Sequence, residues 1–162
     1  MMIRQATSAD ALGMLDVLNP IIAEGGTTAH QTSFDVDRMR QHYISRPALI
    51  CTHVADMGGK IGGFQMLARP DPDDAAMQGW AIIASFVSGD HAGKGIGRAL
   101  FAATRARALS EGFATIDATI RADNDSGLRY YAAMGFVDFD RLIDVPLRDG
   151  TRVDRIRKRF DL

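Results

Sequence analysis

Cysteine is nearly absent from this sequence, which has 162 residues and a single thiol at Cys51. One cysteine cannot form an internal disulfide, so the class of small disulfide-rich secreted proteins is excluded. Cys51 lies in an apolar stretch, where a thiol is typical of core packing rather than of a reactive nucleophile. The four histidines lack the spacing of a metal site, and we expect no bound metal.

Long apolar runs and a strong net charge are absent as well. No apolar run approaches the roughly 18 residues of a membrane helix, and residues 1–5 show no apolar core of a signal peptide, so we expect neither feature. The net charge of −1 implies no general affinity for nucleic acid. Length and an apolar content of 46% are typical of one globular domain over residues 1–162, which we expect in the cytoplasm without membrane or nucleic-acid partners.

Glycine is concentrated in one segment, residues 91–97, which reads His-Ala-Gly-Lys-Gly-Ile-Gly. A strand-like apolar stretch (80–87) precedes it, and an Ala-rich, helix-like stretch (98–109) follows it. Glycines let a ligand approach the main chain closely, and the free N–H groups and dipole of a helix start favour an anion. The segment therefore predicts a phosphate or pyrophosphate site at Gly93, Lys94, Gly95, Ile96, Gly97 and Arg98.

The spacing of these glycines distinguishes the segment from two known phosphate-binding loops. A Walker A loop requires Gly-x4-Gly-Lys-Ser/Thr, but Gly95 follows Lys94, and Ser88 stands at the first glycine position. A dinucleotide fingerprint, Gly-x-Gly-x-x-Gly, fails at Arg98. The remaining alternative is a tight turn without a ligand, although three glycines in five residues cost more chain entropy than such a turn requires.

The segment Gly-Lys-Gly-Ile-Gly-Arg-Ala-Leu resembles the pyrophosphate loop of the GNAT superfamily of acetyl-CoA-dependent N-acetyltransferases. The family pattern Gln/Arg-x-x-Gly-x-Gly/Ala places its two small residues on Gly95 and Gly97. Its leading Gln or Arg falls on Ala92, which departs from the pattern. A nearby basic side chain is the expected replacement for that contact: Lys94, Arg98 or His91.

A second motif, about 30 residues further along the chain, supports this resemblance. Residues 115–136 contain an alternating, strand-like stretch, a polar turn and a short helical stretch. They resemble the family's second acetyl-CoA segment, with its Asn at Asn124, its Tyr at Tyr131 and its ending at Gly135-Phe136. The two motifs occur in the family's order, and the resemblance is strongest over residues 48–145.

The patterning predicts an α/β protein with a mixed, mostly antiparallel central sheet and about four flanking helices. Strand and helix signals follow the order β-α-α-β-β-β-α-β-α-β-β, which is the order of the family. Residues 57–60 and Asp149-Gly150 predict two hairpins. In the last short helix, Ser126 is the expected N-cap and Gly135 the expected end.

The resemblance implies roles for individual residues in acetyl transfer. Backbone amides of the fourth strand, at Phe86 and Val87, would contact the cofactor. Tyr131 would act as the general acid that protonates the leaving thiolate, with Tyr130 as the neighbouring alternative and ring packing as the other interpretation. Asn124 would either hydrogen-bond the pantetheine arm of the cofactor or cap the turn.

The general base lacks a clear candidate. Many relatives carry a Glu on the fourth strand, but residues 80–87 contain neither a carboxylate nor a histidine. Glu24 and His30 flank the loop that lines the acceptor pocket in relatives, so each is a candidate base, with surface solvation as the alternative interpretation. A water chain to a backbone carbonyl is another route.

The N-terminal third resembles the phosphinothricin and methionine-derivative acetyltransferase branch, on Ile3-Arg4, Ala6, Asp10-Ala11, residues 19–22, Thr27-Thr28 and Phe34. That branch acetylates the α-amino group of small amino acids and analogues, although its strand-four Glu corresponds to Ile82 here.

We therefore expect an N-acetyltransferase that uses acetyl-CoA on a small primary amine. Homodimers are common in the family, and a homodimer is one expected assembly. Two alternatives stay open: an acyl-CoA sensor without turnover, and acetylation of a protein or tRNA-linked amine.

Overall fold

A computed structural model describes residues Met1–Leu162, the whole chain, and contains seven strands and four helices. Their order agrees with the order expected from the sequence. The elements are β1 (Met2–Gln5), α1 (Ala11–Glu24), α2 (Val36–Tyr43), β2 (Leu49–Asp56), β3 (Ile61–Ala68), β4 (Trp80–Val87), α3 (Ile96–Ser110), β5 (Thr115–Arg121), α4 (Asp125–Met134), β6 (Val137–Pro146) and β7 (Arg152–Asp161).

All seven strands belong to one sheet, in the order β1-β2-β3-β4-β5-β7-β6. Every neighbouring pair is antiparallel except β4 and β5, which run parallel. The predicted hairpins are present as β2–β3 and β6–β7. This arrangement confirms the predicted fold class, a mixed and mostly antiparallel sheet with flanking helices.

Apolar side chains cover the two faces of the sheet mainly in two large clusters. On one face, α1 and α2 pack against the sheet, with Tyr43 and Phe64 among the most buried residues. On the other face, α3 and α4 pack against a second cluster that includes Phe101 and Tyr131. Complete burial of such a side chain contributes about 1.5–3 kcal/mol, so each face holds its helices in place.

Cys51 belongs to the second cluster, as expected of a core thiol. Burial raises the pKa of this thiol to about 11, so it is uncharged at neutral pH. None of the four helices has the length and hydropathy that a crossing of the bilayer requires.

The N-cap of α4 is Asn124 rather than Ser126, which corrects the prediction for this helix. The Asn124 Oδ1 accepts a hydrogen bond from the Gly127 N–H at 2.9 Å, and the Ser126 hydroxyl donates to the same oxygen at 3.0 Å. Asn and Ser have similar preferences for this position, so residue type alone could not decide between them. The predicted end at Gly135 is confirmed, since its φ of 101° lies in the left-handed region.

Candidate active site

The parallel strands β4 and β5 separate along their length, and the opening between them is the centre of the candidate site. They pair only where Trp80, Ala81 and Ile82 face residues 115–117. Beyond this point β4 stays paired with β3 as far as Val87. The inner edge of β4 therefore has backbone groups without a strand partner, and such groups are available to a ligand.

The alternation of hydrogen bonds along β4 identifies which amides face the opening. The Ser88 N–H donates to the Gly62 carbonyl on the β3 side at 3.0 Å. Because alternate residues of a strand direct their backbone groups to the same neighbour, the Phe86 amide also points to β3. The amides of Ser85 and Val87 point to the opening. The Phe86 amide is therefore directed to β3 and the Val87 amide to the opening, and the cofactor contacts expected of these two residues stay predictions.

A cleft of about 250 Å³ occupies this opening and passes between the two faces of the sheet. Residues on the α4 side include Tyr130, Tyr131 and Asn124. Those on the α1–α2 side include the segment from Thr27 to His30 and the end of α2. Groups from both faces of the sheet therefore meet in one cleft.

Tyr131 is buried in α4 and lines the cleft. Its hydroxyl lies 2.9 Å from the Ser85 Oγ, and its ring packs edge-to-face on Phe136 at a centroid distance of 5.1 Å. Burial raises the pKa of the Tyr131 phenol above its ordinary value of about 10. The phenol therefore keeps its proton at neutral pH, which is the state that a general acid requires.

Tyr130, the neighbouring candidate, has its hydroxyl engaged elsewhere. This hydroxyl donates to the Gly97 carbonyl at 2.9 Å and accepts from the Gln65 Nε2 at 3.1 Å. The same Gln65 nitrogen donates to the Ser85 Oγ at 2.8 Å, so one buried side chain positions both Ser85 and Tyr130. Of the two tyrosines, Tyr131 has the hydroxyl with fewer protein partners.

The glycine-rich loop before α3 presents backbone N–H groups that donate to no acceptor in the protein. These groups belong to Gly93, Gly95, Ile96, Gly97 and Arg98. Gly93 and Gly95 have φ values of 75° and 78°, and a Cβ at either position would meet no atom within 4 Å. The loop is thus an open cradle of amide donors at a helix start, and this donor set fits a pyrophosphate.

Gly97 serves a different purpose from the other two glycines. A Cβ on Gly97 would lie 2.6 Å from Cε2 of the Tyr130 ring. Real side chains do not approach so closely, so Gly97 allows the first turn of α3 to pack against α4. The phosphate loop and the cleft are therefore held together at this contact.

The three basic residues near Ala92 differ in what they contact. The Lys94 Nζ donates to the Asp90 carbonyl at 2.9 Å, and the His91 Nδ1 lies 2.8 Å from the Ser88 Oγ. Arg98 is exposed on the first turn of α3 and makes no side-chain hydrogen bond or ion pair. Arg98 is therefore the basic side chain that is free to contact a phosphate.

Asn124 ties the loop between α1 and α2 to the far side of the opening. While its Oδ1 caps α4, its Nδ2 donates to the Thr27 carbonyl at 3.0 Å. Beside it, the Arg121 Nη1 donates to the Thr28 carbonyl at 3.3 Å. The capping role predicted for Asn124 is thus present, and the pantetheine contact stays a prediction.

The two candidate bases differ in their position relative to the cleft. Glu24 is exposed at the end of α1 and does not line the cleft, whereas His30 does. The His30 Nε2 lies 2.7 Å from the Tyr43 hydroxyl. Burial, together with the nearby positive charges of His42 and Arg38, lowers the pKa of His30 to about 4. His30 is therefore a neutral imidazole at pH 7.

Sequence reasoning missed several residues of the cleft. Ser85 is the one polar side chain in the apolar run 80–87, and this was a usable signal. His42 lies on α2 with its ring centroid 5.3 Å from that of His30, and burial lowers its pKa. No local pattern distinguishes His42 from other helix residues. The structure contains no group of three or more His, Cys, Asp or Glu side chains that could hold a metal ion.

A sheet that opens beside an amide-lined loop for a pyrophosphate is the arrangement of an acyl-CoA-dependent transferase. The Acetyltransferase (GNAT) family model matches residues 17–136 of the sequence. This range covers more than two thirds of the chain, and the protein therefore belongs to the GNAT family of acetyltransferases. Enzymes of this family use acetyl-CoA as their co-substrate.

Solved structures share the fold over nearly the whole chain. The ribosomal-protein-alanine N-acetyltransferase from Brucella melitensis has a TM-score of 0.86 at 22% identity, with 100% of both chains covered. For yncA from Salmonella typhimurium, solved with its cofactor acetyl-CoA, the TM-score is 0.86 at 21% identity, covering 99% of this chain and 93% of that one.

A GNAT superfamily phosphinothricin acetyltransferase from Sinorhizobium meliloti, in complex with acetyl-CoA, has a TM-score of 0.84 at 22% identity. The match covers 99% of this chain and 88% of that one. At such low identities the likeness demonstrates the fold alone. A comparison with curated proteins finds no match.

Proposed function

We propose that this protein transfers the acetyl group of acetyl-CoA to a primary amine of a small molecule, in particular an amino acid or an analogue of one. The observation that carries this proposal is the position of Tyr131. Its protonated phenol lies in the cleft where β4 and β5 separate, beside the inward-facing amides of β4. Residues 1–162 would act as a single acetyltransferase domain.

Cofactor binding is assigned to the glycine-rich loop and the inner edge of β4. The free amides from Gly93 to Arg98 would hold the pyrophosphate, supported by the Arg98 side chain. Bound acetyl-CoA supplies the activated thioester. The amides of Ser85 and Val87 are the donors available for the oxygen on which negative charge develops, and one aligned donor of this kind contributes about 2.7–4 kcal/mol.

Proton transfer is assigned to the two sides of the cleft. On the α4 side, Tyr131 would give its proton to the leaving thiolate. On the opposite side, His30 supports contact with the amine better than Glu24, because His30 lines the cleft and Glu24 does not. A pKa of about 4 makes His30 a weak base, so we assign it to orienting the amine by hydrogen bonding, and the amine's proton goes to water.

An acetyl-transfer assay tests the proposal. Purified protein is incubated with acetyl-CoA and a panel of amino acids and polyamines, free thiol is measured with a thiol reagent, and products are identified by mass spectrometry. We expect acetylation of at least one amino acid or analogue. Binding of acetyl-CoA without thiol release on any amine would contradict catalysis and favour a sensor. Failure with all small amines, together with acetylated proteins in a treated lysate, would favour a protein substrate.

A further inference from the structure

Arg155 on β7 is a cleft residue whose charge has no partner in the protein. It lines the cleft beside β5, where it faces Arg121 across the β5–β7 ladder. Its Nε is buried and makes no hydrogen bond, and the side chain forms no ion pair. A buried guanidinium nitrogen without an acceptor is unfavourable, so the position has a cost that protein contacts do not offset.

The two other arginines on the same face of this strand, Arg157 and Arg159, each have a carboxylate partner, whereas Arg155 has none. On the same face of β7, Arg157 contacts Asp117 at 3.2 Å and Arg159 contacts Asp161 at 2.6 Å. Neither of these two arginines lines the cleft. Of the three arginines on this face, only Arg155 lines the cleft, and only Arg155 has no carboxylate partner.

The charged side chains of the cleft wall are both positive. Arg121 and Arg155 line the cleft, and no Asp or Glu does. The one carboxylate bound to Arg121, that of Asp123, is more than half exposed and lies outside the cleft lining. The charge complement of this surface is therefore an anion.

Arg155 lies on the face of the sheet opposite to the phosphate loop. The register of β7 with β5 is regular from residue 155 to 161, so Arg155 and Phe160 point to opposite faces. Phe160 packs against the cluster formed with α3 and α4. Arg155 therefore belongs to the side of the α1–α2 loop, away from the helix start that is suited to the cofactor's phosphates.

We propose that Arg155 is a specificity-determining residue that holds a carboxylate of the acceptor, while the acceptor's amine lies at the opening between β4 and β5. This inference rests on the proposed function and narrows its substrate to amines that carry a carboxylate. A guanidinium donates two parallel hydrogen bonds to a carboxylate. The same positive wall disfavours diamines and polyamines, whose second charge is repelled.

The test compares acids with the corresponding amides in wild-type protein and in Arg155→Met, which keeps most of the side-chain length without the charge. A panel of L-α-amino acids and their amides is assayed for acetyl transfer. We expect wild type to prefer the acids. In Arg155→Met the KM for acids rises by about tenfold to hundredfold, the range for loss of a hydrogen bond to a charged group, and the preference over amides is lost. Arg155→Lys regains part of it.

Arg159→Met is the matched control, since Arg159 lies on the same strand and does not line the cleft. It should keep the preference of wild type. Affinity for acetyl-CoA should be the same in all variants. An unchanged preference for acids in Arg155→Met would overturn the proposal.

Calorimetric binding of the same acids and amides distinguishes this inference from the proposed function. If acids bind wild type but not Arg155→Met while no acetyl transfer occurs, Arg155 has the proposed role and the proposed catalysis is wrong. If acetyl transfer occurs and Arg155→Met binds acids as wild type does, the role of Arg155 is wrong. Acids that bind neither protein also contradict it.

Discussion

The hydroxyl of Tyr131 lies 2.9 Å from the Oγ of Ser85 and so joins α4 to β4 beside the opening in the sheet. Behind Ser85, the fully buried Gln65 donates to the same oxygen at 2.8 Å. A phenol held in this way has little freedom to rotate. Its proton is therefore presented at a fixed point, which is the condition for efficient general acid catalysis.

Tyr131→Phe should lower turnover at least tenfold and change the affinity for acetyl-CoA little. The ring and its packing on Phe136 remain, and only the proton donor is lost, for which a rate loss of about 10²–10⁴ is typical. Steady-state kinetics and calorimetric binding of CoA measure the two effects separately.

Tyr130→Phe is the comparison for this substitution, because it removes a hydroxyl that is bound to the Gly97 carbonyl. Its effect on turnover should be smaller than that of Tyr131→Phe. Equal rate losses in the two variants would contradict the assignment of the general acid to Tyr131 alone.

Gly95→Val should weaken binding of acetyl-CoA, because a branched side chain would occupy the open cradle next to the free amides. Gly112→Val is the matched control, since Gly112 has a similar φ of 82° and a Cβ there would also meet no atom within 4 Å. Both variants carry a backbone strain of about 1–2 kcal/mol. Calorimetry should show a loss of affinity for acetyl-CoA in Gly95→Val and none in Gly112→Val. Equal affinities of the two variants would contradict the location of the phosphate site.

Asn124→Ala should lower the free energy of unfolding by about 1–2 kcal/mol, the usual effect of losing an N-cap. The variant loses the bond from Gly127 and the bond to the Thr27 carbonyl. Ser126→Ala loses only a hydroxyl that donates to Asn124, and its effect should stay within about 0.5 kcal/mol. Urea unfolding measures both. A similar loss in both variants would show that the two residues share the cap.

The stability of the protein should depend on the protonation of His30. Its pKa in the folded protein is about 4, against an ordinary value of 6.5. Between these pH values the unfolded chain binds a proton that the folded chain does not, so the free energy of unfolding rises with pH. The His30 penalty is absent above about pH 6.5 and grows as the pH falls toward 4.

Urea unfolding of wild type and His30→Gln across this range isolates the effect. His42 and His53 also have lowered pKa values, so only the difference between the two proteins reports on His30. We expect this difference to change by about 1–2 kcal/mol between the ends of the range, a value that allows for partial exposure. A difference that does not vary with pH would show that His30 is solvated in the folded state.

The order of the elements could be predicted because periodicity and turn residues are local signals. The glycine segment before α3 is also local, and its positive φ values at Gly93 and Gly95 agree with that prediction. The directions of the Phe86 and Val87 amides could not be predicted from the sequence, because they depend on the register of β4 against β3. If the register of β4 shifted by one residue, the amides that now face β3 would face the opening, and those that now face the opening would face β3.

The acceptor side of the cleft could not be predicted for a related reason. Arg155 reaches the cleft because β7 lies between β5 and β6 in the sheet. Within the sequence, nothing separates Arg155 from Arg157 or Arg159, since all three alternate along one strand. Only the three-dimensional neighbours distinguish them. His42 likewise contacts His30 through the folding back of α2.

Three residue pairs between β4 and β5 connect the two parts of the sheet, β1 to β4 on one side and β5 to β7 on the other. The bond from the Asn124 Nδ2 to the Thr27 carbonyl adds a further connection, between the start of α4 and the loop after α1. Beyond these three pairs, the two parts of the sheet are joined at the cleft by side-chain bonds such as this one rather than by a strand ladder.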